Sequence, residues 1–228
     1  ASMIRFHRAD VAGLQEALIG QIRDLEERLS GYAWVGVGRG DGEQAGEFSP
    51  IFYHTDRLEL LDHDTFWLSE TPEVPGSQSW DAALPRIVTW ARFRDRRTDQ
   101  AFYHFNTHFD HRGEQARLES ARLITRRIDA MVGDAPTVVT GDFNVTPDTA
   151  PYAHLAGALT DAYTAAEVPH GPPGTYFGFE VTEEDGRRID YVFTTNGVGV
   201  QRFGTLTDQW RGDYPSDHLP VLAEVTLP

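Results

Sequence analysis

Apolar residues along this chain recur mainly with the spacing of β-strands. The segment YAWVGVGR (32–39) alternates like a strand, and apolar runs of strand length follow to the end of the sequence. The predicted strands are 32–39, 50–55, 58–69, 85–93, 100–109, 137–142, 188–195, 198–206 and 219–227. The polar turn RDRRTD separates 85–93 from 100–109, which indicates a β-hairpin.

Two segments have the spacing of an amphipathic helix instead. A helix is predicted for 17–30, which residues 10–16 lead into, and another for 113–132. Their apolar stripes are Leu18, Ile22, Leu25 and Leu29 in the first and Ala121, Ile124, Ile128 and Met131 in the second. Many strands in antiparallel-looking pairs, with few helices, predict a mixed α/β fold built in layers.

The size and composition of the chain are those of a globular protein. Its 228 residues, 40% of them hydrophobic, are enough for one large core. The polar segments 38–49 and 70–81 are typical of loops within one domain, so we expect a single domain over 1–228. Since no apolar run approaches the ~18 residues of a membrane-spanning helix, we expect no membrane span.

Two residue types are missing from the sequence, and their absence excludes several chemistries. There is no cysteine, which excludes disulfides, thiol nucleophiles and cysteine metal sites. All 20 basic residues are arginine, so a lysine nucleophile or Schiff base is also excluded.

The net charge of −15 argues against binding of long duplex DNA. An anionic substrate requires a local site where arginine, histidine or a cation reverses the field.

Carboxylate, carboxamide and imidazole groups gather just past the apolar strands. The stretches are LQE (14–16), FNTHFDH (105–111), TGDFN (140–144), RRIDY (187–191) and YPSDHLP (214–220). Strand ends are where a rigid sheet positions binding and catalytic groups. Each stretch alone also has a structural reading, such as a turn closed by Asp and Asn side chains or an acid that favours a helix N-terminus.

Taken together and in this order, LQE, NTH, GDFN, RIDY and SDH resemble the endonuclease/exonuclease/phosphatase superfamily, the deoxyribonuclease I-like fold. The resemblance extends from Leu14 to His218. It implies a four-layer α-β-β-α sandwich of two packed mixed, largely antiparallel sheets. It also implies hydrolysis of phosphoester bonds by an activated water with a divalent cation, Mg²⁺ or alternatively Mn²⁺.

The resemblance also implies roles for individual residues. The metal ligands are Glu16 and Asp217, and the remaining site residues are Asp142, Asn144, His218, Asp190, His108 and Asn106. Asp142 acts as base or orienter for the attacking water, and Asn144 positions that water or the phosphate. His218 contacts a phosphoryl oxygen or serves as acid or base, and Asp190 orients it. His108 and Asn106 stand where the family places phosphate contacts.

Four further residues are candidates for substrate binding. Arg86 follows Pro85 at the start of a strand, where a guanidinium can grip a phosphate bidentately. The alternative for Arg86 is a surface arginine beside a strand. The Gly-rich stretch GTYFGF (174–179) presents Tyr176, Phe177 and Phe179, which either stack on a flat group of the substrate or pack in the core.

The sequence departs from the family pattern near its beginning. The family's opening strand carries an Asn shortly before the LQE glutamate, whereas the 15 residues before Glu16 contain none. We therefore expect a domain that is N-terminally incomplete and lacks its opening strand. The localisation stays open, with the cytoplasm slightly favoured.

Three functions remain in view. The leading expectation is a phosphodiesterase or phosphatase that acts on a small phosphorylated molecule or a short oligonucleotide. A single-strand nuclease of the exonuclease or deadenylase type is the alternative within the enzymes. The third is a catalytically impaired phosphate-binding module.

Overall fold

The computed structural model describes residues 1–179 and 186–228. The helices are α1 (Ser2–Phe6), α2 (Ile19–Arg28), α3 (Glu114–Val132), α4 (Ala150–Ala158) and α5 (Ala162–Ala165). The strands are β1 (Val11–Gly13), β2 (Tyr32–Val35), β3 (Ile51–His54), β4 (Leu58–Trp67), β5 (Ile87–Asp95), β6 (Ala101–His108), β7 (Thr137–Asp142), β8 (Thr160–Asp161), β9 (Val168–His170), β10 (Asp190–Thr194), β11 (Gly199–Thr205) and β12 (Val221–Thr226).

A six-stranded sheet in the order β4-β5-β6-β7-β10-β8 forms the centre of the fold. The hairpin β5–β6 is antiparallel, as its polar turn predicts, whereas β6 and β7 are parallel. A parallel pair needs a crossover connection, and α3 supplies it. Because β6 and β7 run in the same direction and β10 runs antiparallel to β7, the ends of β6 and β7 lie beside the start of β10.

A second β layer packs on one face of this sheet. It consists of two three-stranded sheets, β1-β3-β2 and β12-β11-β9, and places β1 and β12 at sheet edges. Each of the two three-stranded sheets shares a hydrophobic cluster with the central sheet. The clusters include Val35, Ile51, Tyr53, Ala91 and Phe93 for the first sheet and Val138, Val192, Val200 and Phe203 for the second.

Helices cover the two outer faces. α3 and α4 pack on the other face of the central sheet, and α2 packs on β1-β3-β2. The buried side chains include Ile124, Ile128, Leu155, Phe105 and Phe193 on the first side and Ile22, Leu29, Phe48 and Phe52 on the second. The four layers α-β-β-α of mixed sheets are thereby confirmed.

Several short elements differ from the sequence prediction. The pattern predicts only a lead into the first helix for 10–16, but residues 11–13 form β1 because they pair with β3. Helix α4 is not predicted, since APYAHLAGA is mostly apolar and lacks an amphipathic period. β8, α5 and β9 have two to four residues each, too few for a periodicity to appear. Within the described ranges, no helix is both long and apolar enough to cross a membrane.

Candidate active site

The carboxylates of Asp142 and Asp190 face each other at the joined ends of β7 and β10. The strand register pairs the two residues directly. His218, in the loop before β12, completes the group: its Nδ1 lies 2.8 Å from Asp190 Oδ2, and its Nε2 lies 4.0 Å from Asp142 Oδ2. An Asp bonded to one ring nitrogen fixes the orientation of an imidazole and leaves the other nitrogen for chemistry. The orientation of His218 by Asp190, implied by the family pattern, is the arrangement found here.

His108 approaches Asp142 from the neighbouring strand. The parallel register pairs it with Asp142, and its Nε2 lies 3.3 Å from Asp142 Oδ2. The imidazole is buried. Burial, followed by the positive charges of Arg86 and Arg39, holds the pKa of His108 well below its ordinary value, so the ring is neutral at pH 7.

The environment of Asp142 disfavours the charged form of its carboxyl group. Burial and the negative charge of Asp190 raise the pKa of Asp142 to about 7, against the opposing effects of His218 and the Asn144 backbone N–H. Asn144 has φ +51° and donates its backbone N–H to Asp142 Oδ1 at 2.8 Å. Its side-chain amide donates to Phe109 O and Asp142 Oδ2. The turn therefore closes on itself and holds the Asp142 carboxylate, and the role of Asn144 in positioning the water or the phosphate stays a prediction.

His218 has the opposite electrostatic character from His108. Burial alone lowers its pKa, but the hydrogen bond and charge of Asp190, with the charges of Asp142 and Asp217, raise it to about 9. His218 is therefore an imidazolium at neutral pH. The site thus holds one neutral and one charged imidazole on either side of Asp142, an arrangement suited to proton transfer and to stabilising negative charge.

Glu16 and Glu47 lie beside His108 and form a second group of metal-ligating side chains. One ligand atom from each of the three residues lies within 4.8 Å of the others. The bridge between Ala17 and Phe48 brings the two glutamates together, although they are 31 positions apart. Glu16 has φ +59° and a side chain that is 66% exposed, so a strained backbone leaves its carboxylate accessible to a ligand.

The carboxamide of Asn106 is fully used inside the protein. Its amide nitrogen donates to the carbonyls of Leu14 and Pro50, and its oxygen accepts hydrogen bonds from Gln15 Nε2 and Thr140 Oγ1. No donor is left for a phosphate, so the expected substrate contact of Asn106 is corrected to a brace for the segment before Glu16. The error has a physical reason: a polar residue near a strand end can serve the neighbouring layer as well as the solvent.

The trio of Asp142, Asp190 and His218 also has ligand atoms within 4.8 Å of one another, as Glu16, Glu47 and His108 do. Within the described ranges, Asp217 belongs to neither group. Its backbone carbonyl accepts hydrogen bonds from the N–H groups of Phe177 and Gly178, and its side chain accepts one from Ser216. Its charge reaches His218 and contributes to the raised pKa there. The assignment of Asp217 as a metal ligand stays a prediction, and the geometry gives it an electrostatic role.

The aromatic stretch before Asp190 borders the site. The ring of Tyr176 packs edge-on against His218 with centroids 5.0 Å apart, and the guanidinium of Arg187 lies 4.7 Å above the Tyr176 ring. Phe177 is partly buried, whereas Phe179 is 62% exposed. Tyr176 borders the site through His218, and the substrate contacts of Tyr176, Phe177 and Phe179 stay predictions.

Arg86 is a buried arginine, which excludes the surface alternative. It is 4% exposed, and its Nη2 lies 2.9 Å from His111 Nδ1. Its Nε lies 3.6 Å from Asp110 Oδ2, too far for a hydrogen bond. Arg39, Glu47 and His108 line the same small cleft as Arg86.

Sequence reasoning missed Glu47, Arg39 and Asp110 and gave His111 no role. Glu47 and Arg39 lie in the Gly-rich segment 38–49, whose polar composition is equally typical of an ordinary loop. One signal points to Glu47: it stands three residues before the strand segment 50–55, at a strand end like the other site residues. Arg39, Asp110 and His111 are recognised only from the side chains that they contact in the folded chain.

Several known proteins are similar to this chain in sequence or in structure. Nocturnin of Drosophila melanogaster is 26% identical over 216 aligned residues, which cover 78% of this chain and 32% of that protein. The chain spans about a third of the length of the curated relatives it matches. An endonuclease/exonuclease/phosphatase from Bacteroides vulgatus is 42% identical with a TM-score of 0.96, over 100% of this chain and 88% of that one.

A second solved structure is similar to the same degree. The mannosyl-6-phosphatase of Bacteroides thetaiotaomicron VPI-5482 is 39% identical with a TM-score of 0.93, over 99% of this chain and 88% of that one. The model of the endonuclease/exonuclease/phosphatase family matches residues 1–218. The resemblance drawn from the five motifs is therefore confirmed, and this chain belongs to the endonuclease/exonuclease/phosphatase family.

Proposed function

We propose that this protein is a divalent-metal-dependent hydrolase of phosphoester bonds that acts on a small phosphorylated molecule. One observation carries the proposal: carboxylates and imidazoles from β6, β7, β10 and the loop before β12 converge on Asp142, beside the Glu16–Glu47 pair. Members of the family hydrolyse phosphoester bonds, and the similar mannosyl-6-phosphatase supports a phosphorylated small molecule as substrate.

The donor chemistry beside His108 fits a divalent cation. Glu16 and Glu47 supply carboxylate oxygens, which Mg²⁺ and Mn²⁺ prefer. A bound cation supplies charge stabilisation at a phosphoryl oxygen and lowers the pKa of water. We propose Mg²⁺ as the physiological ion, with Mn²⁺ as a substitute.

The side chains around Asp142 supply the proton chemistry. Asp142, with its pKa raised to about 7, accepts a proton as water forms the new bond to phosphorus and the ester P–O bond breaks. The His218 imidazolium faces the same space and stabilises the charge that develops on the phosphoryl oxygens, then protonates the leaving oxygen. Asp190 keeps His218 charged and oriented.

Two substitutions test the proposal. We expect Asp142→Asn and His218→Gln each to lower turnover by at least ~10²-fold, the usual scale for loss of an acid or base. The measurement is hydrolysis of a panel of phosphate esters with Mg²⁺, with Mn²⁺ and with EDTA. Asp148→Asn, an exposed carboxylate six residues further on, is the matched control. Normal rates in both site variants contradict the mechanism, and metal-independent turnover contradicts the proposed function.

A single-strand nuclease is the second candidate. The observation that favours it is the aromatic border of the site, where Tyr176 packs on His218 and Phe179 is exposed, because such rings can stack on bases. Hydrolysis of a short single strand faster than a small phosphomonoester, with loss of that preference in Phe179→Ala, supports it. Binding of phosphate without turnover of any ester supports the third candidate, a phosphate-binding module.

A further inference from the structure

The side chain of Thr175 is fully buried beside the start of β10. Its hydroxyl oxygen accepts the backbone N–H groups of Ile189 and Asp190, each at 3.1 Å. Within the described residues, the short strand β8 pairs only with the last two positions of β10, so it does not reach these N–H groups. A buried backbone N–H needs a partner. Thr175 supplies that partner to Asp190, the residue that orients His218.

The backbone of Thr175 reaches the other side of the same pair. Its carbonyl oxygen accepts the N–H of Leu219, the residue directly after His218, at 2.6 Å. The next residue, Tyr176, forms an isolated β-bridge with His218, and its ring packs edge-on against the imidazole. Thr175 therefore holds the backbone on both sides of the Asp190–His218 hydrogen bond, through its hydroxyl on one side and its carbonyl group on the other.

The position of Thr175 is itself fixed by main-chain contacts. The N–H groups of Thr175 and Tyr176 both donate to the carbonyl oxygen of Arg187 at 3.0 Å. A Cβ on Gly174 would lie 2.3 Å from the carbonyl oxygen of Gly186, so the two chain segments are in direct backbone contact there. Thr175 thus lies in a paired, strand-like segment and not in a free loop.

The contact between Asp190 and His218 is sensitive to small displacements. Asp190 Oδ2 lies 2.8 Å from His218 Nδ1, the length of a charge-assisted hydrogen bond. A shift of about 0.8 Å along this contact separates the two atoms beyond hydrogen-bond distance. Misplacement of a reacting group by about 1 Å can cost ~10²-fold in rate. The bonds that fix the two backbones therefore bear on turnover as well as on stability.

We propose that Thr175 is a positioning residue for the Asp190–His218 pair, whose two backbones it fixes at the distance that their hydrogen bond requires. The proposal deepens the proposed function and rests on it, because positioning affects turnover only if His218 acts on the substrate. Thr175 touches no reacting group and acts through Asp190. A hydroxyl that only satisfied buried N–H groups would change stability without a specific effect on the pair.

Thr175→Val tests the proposal, because valine has nearly the same shape and lacks the hydroxyl. With p-nitrophenyl phosphate or bis(p-nitrophenyl) phosphate and Mn²⁺, we expect kcat to fall by about 10- to 100-fold and KM to change by less than about threefold. Thr175→Ser, which keeps the hydroxyl, should restore kcat to within about threefold of the wild type.

Thr194→Val is the matched control. Thr194 is equally buried and lies on β10, but its Oγ1 has no hydrogen-bond partner among the described residues. Its replacement by valine removes a hydroxyl of the same kind from the same strand. We expect kcat of Thr194→Val to stay within about twofold of the wild type, since no hydrogen bond is lost.

A double-mutant cycle shows whether Thr175 acts through His218. In the His218→Gln background, Thr175→Val should lower kcat by less than about a further twofold, because the group that it positions is gone. An equal loss in both backgrounds overturns the proposal and leaves Thr175 with a structural role. An unchanged kcat in Thr175→Val, or no recovery in Thr175→Ser, overturns it as well.

Proton NMR separates the positioning from the catalysis. The Nδ1 proton of His218, held by Asp190 in a short hydrogen bond, gives a low-field signal that His218→Gln identifies by its absence. This signal should persist in Thr175→Ser and Thr194→Val and should shift or broaden in Thr175→Val; an unchanged signal there overturns the proposal. If no ester is hydrolysed but the signal responds in this way, the positioning stands and the proposed function fails. Should Thr175→Val fail to fold by circular dichroism, Thr175→Ala, which places no γ-methyl group against the amides, decides by the same measurements.

Discussion

Replacement of Asp190 by asparagine isolates the interaction that keeps His218 charged. Asn is nearly the same size and can still accept a hydrogen bond from Nδ1, but it carries no charge. The pKa of His218 is raised to about 9 from an ordinary value near 6.5, which corresponds to about 3 kcal/mol in favour of the imidazolium. The 2.8 Å contact with Asp190 is the largest of the interactions that raise it. In Asp190→Asn we expect the pKa of His218 to return most of the way to its ordinary value.

The same linkage sets the pH dependence of stability. A histidine whose pKa is raised on folding contributes stability that is fully present below its unfolded pKa and is lost as the pH rises through about 9. The difference in unfolding free energy between wild type and Asp190→Asn should therefore be largest near pH 6, at most about 3 kcal/mol, and should shrink above pH 9. Removal of Asp190 also relieves repulsion on Asp142, so the pKa of Asp142 should fall in the variant.

Both expectations can be measured on the protein without added divalent cation. NMR titration of the imidazole signals, with His218→Gln used for assignment, gives the pKa, and urea unfolding at pH 6 and pH 10 gives the stability. Asp208→Asn is the matched control, because it removes the acid of another Asp–His contact, the exposed pair with His7. An unchanged His218 titration in Asp190→Asn refutes the electrostatic reasoning for the site.

Three further predictions concern the support of the site and the stability of the fold. Asn106→Ala should lower the free energy of unfolding by about 1–3 kcal/mol, because it removes the side-chain donor to Leu14 O and the acceptor of the Gln15 and Thr140 side chains, and should weaken Mn²⁺ binding in calorimetry; wild-type values in both measurements contradict the bracing role. Gly13→Ala should destabilise by about 1–3 kcal/mol in urea unfolding, since a Cβ there lies 2.4 Å from Asn106 Oδ1, whereas Gly20→Ala on α2 meets nothing within 4 Å and is the control. Asp95→Asn should cost about 1–3 kcal/mol at pH 7: burial raises the pKa of Asp95, but the hydrogen bonds from Arg57 outweigh it and lower the pKa. That contribution is present above the ordinary value near 3.9 and is lost as the pH falls below it, so an equal cost at pH 3 and pH 7 refutes the assignment.

The site illustrates why part of it can be predicted without coordinates. GDFN and RIDY carry Asp142 and Asp190 at strand ends, where backbone pairing fixes their positions, and SDH carries His218 in the loop before β12. Asp142 and Asp190 are register partners, and His108 pairs with Asp142 on the other side. Local motifs at strand ends can therefore be read as one site once the strand order is known.

The sequence by itself determined the family, the strand-rich layered fold and the core of the site around Asp142, since hydrophobic periodicity and strand-end motifs are local properties. Only the tertiary structure decided which polar side chains are used in hydrogen bonds inside the protein and which remain available at the site. The segment from Gly13 to Glu16 packs against Asn106 and forms hydrogen bonds with its carboxamide. The bridge between Ala17 and Phe48 brings Glu47 beside Glu16. The burial that leaves Arg86 with unpaired donors has the same origin, because hydrogen-bond satisfaction depends on neighbours distant in the chain, which no local pattern specifies.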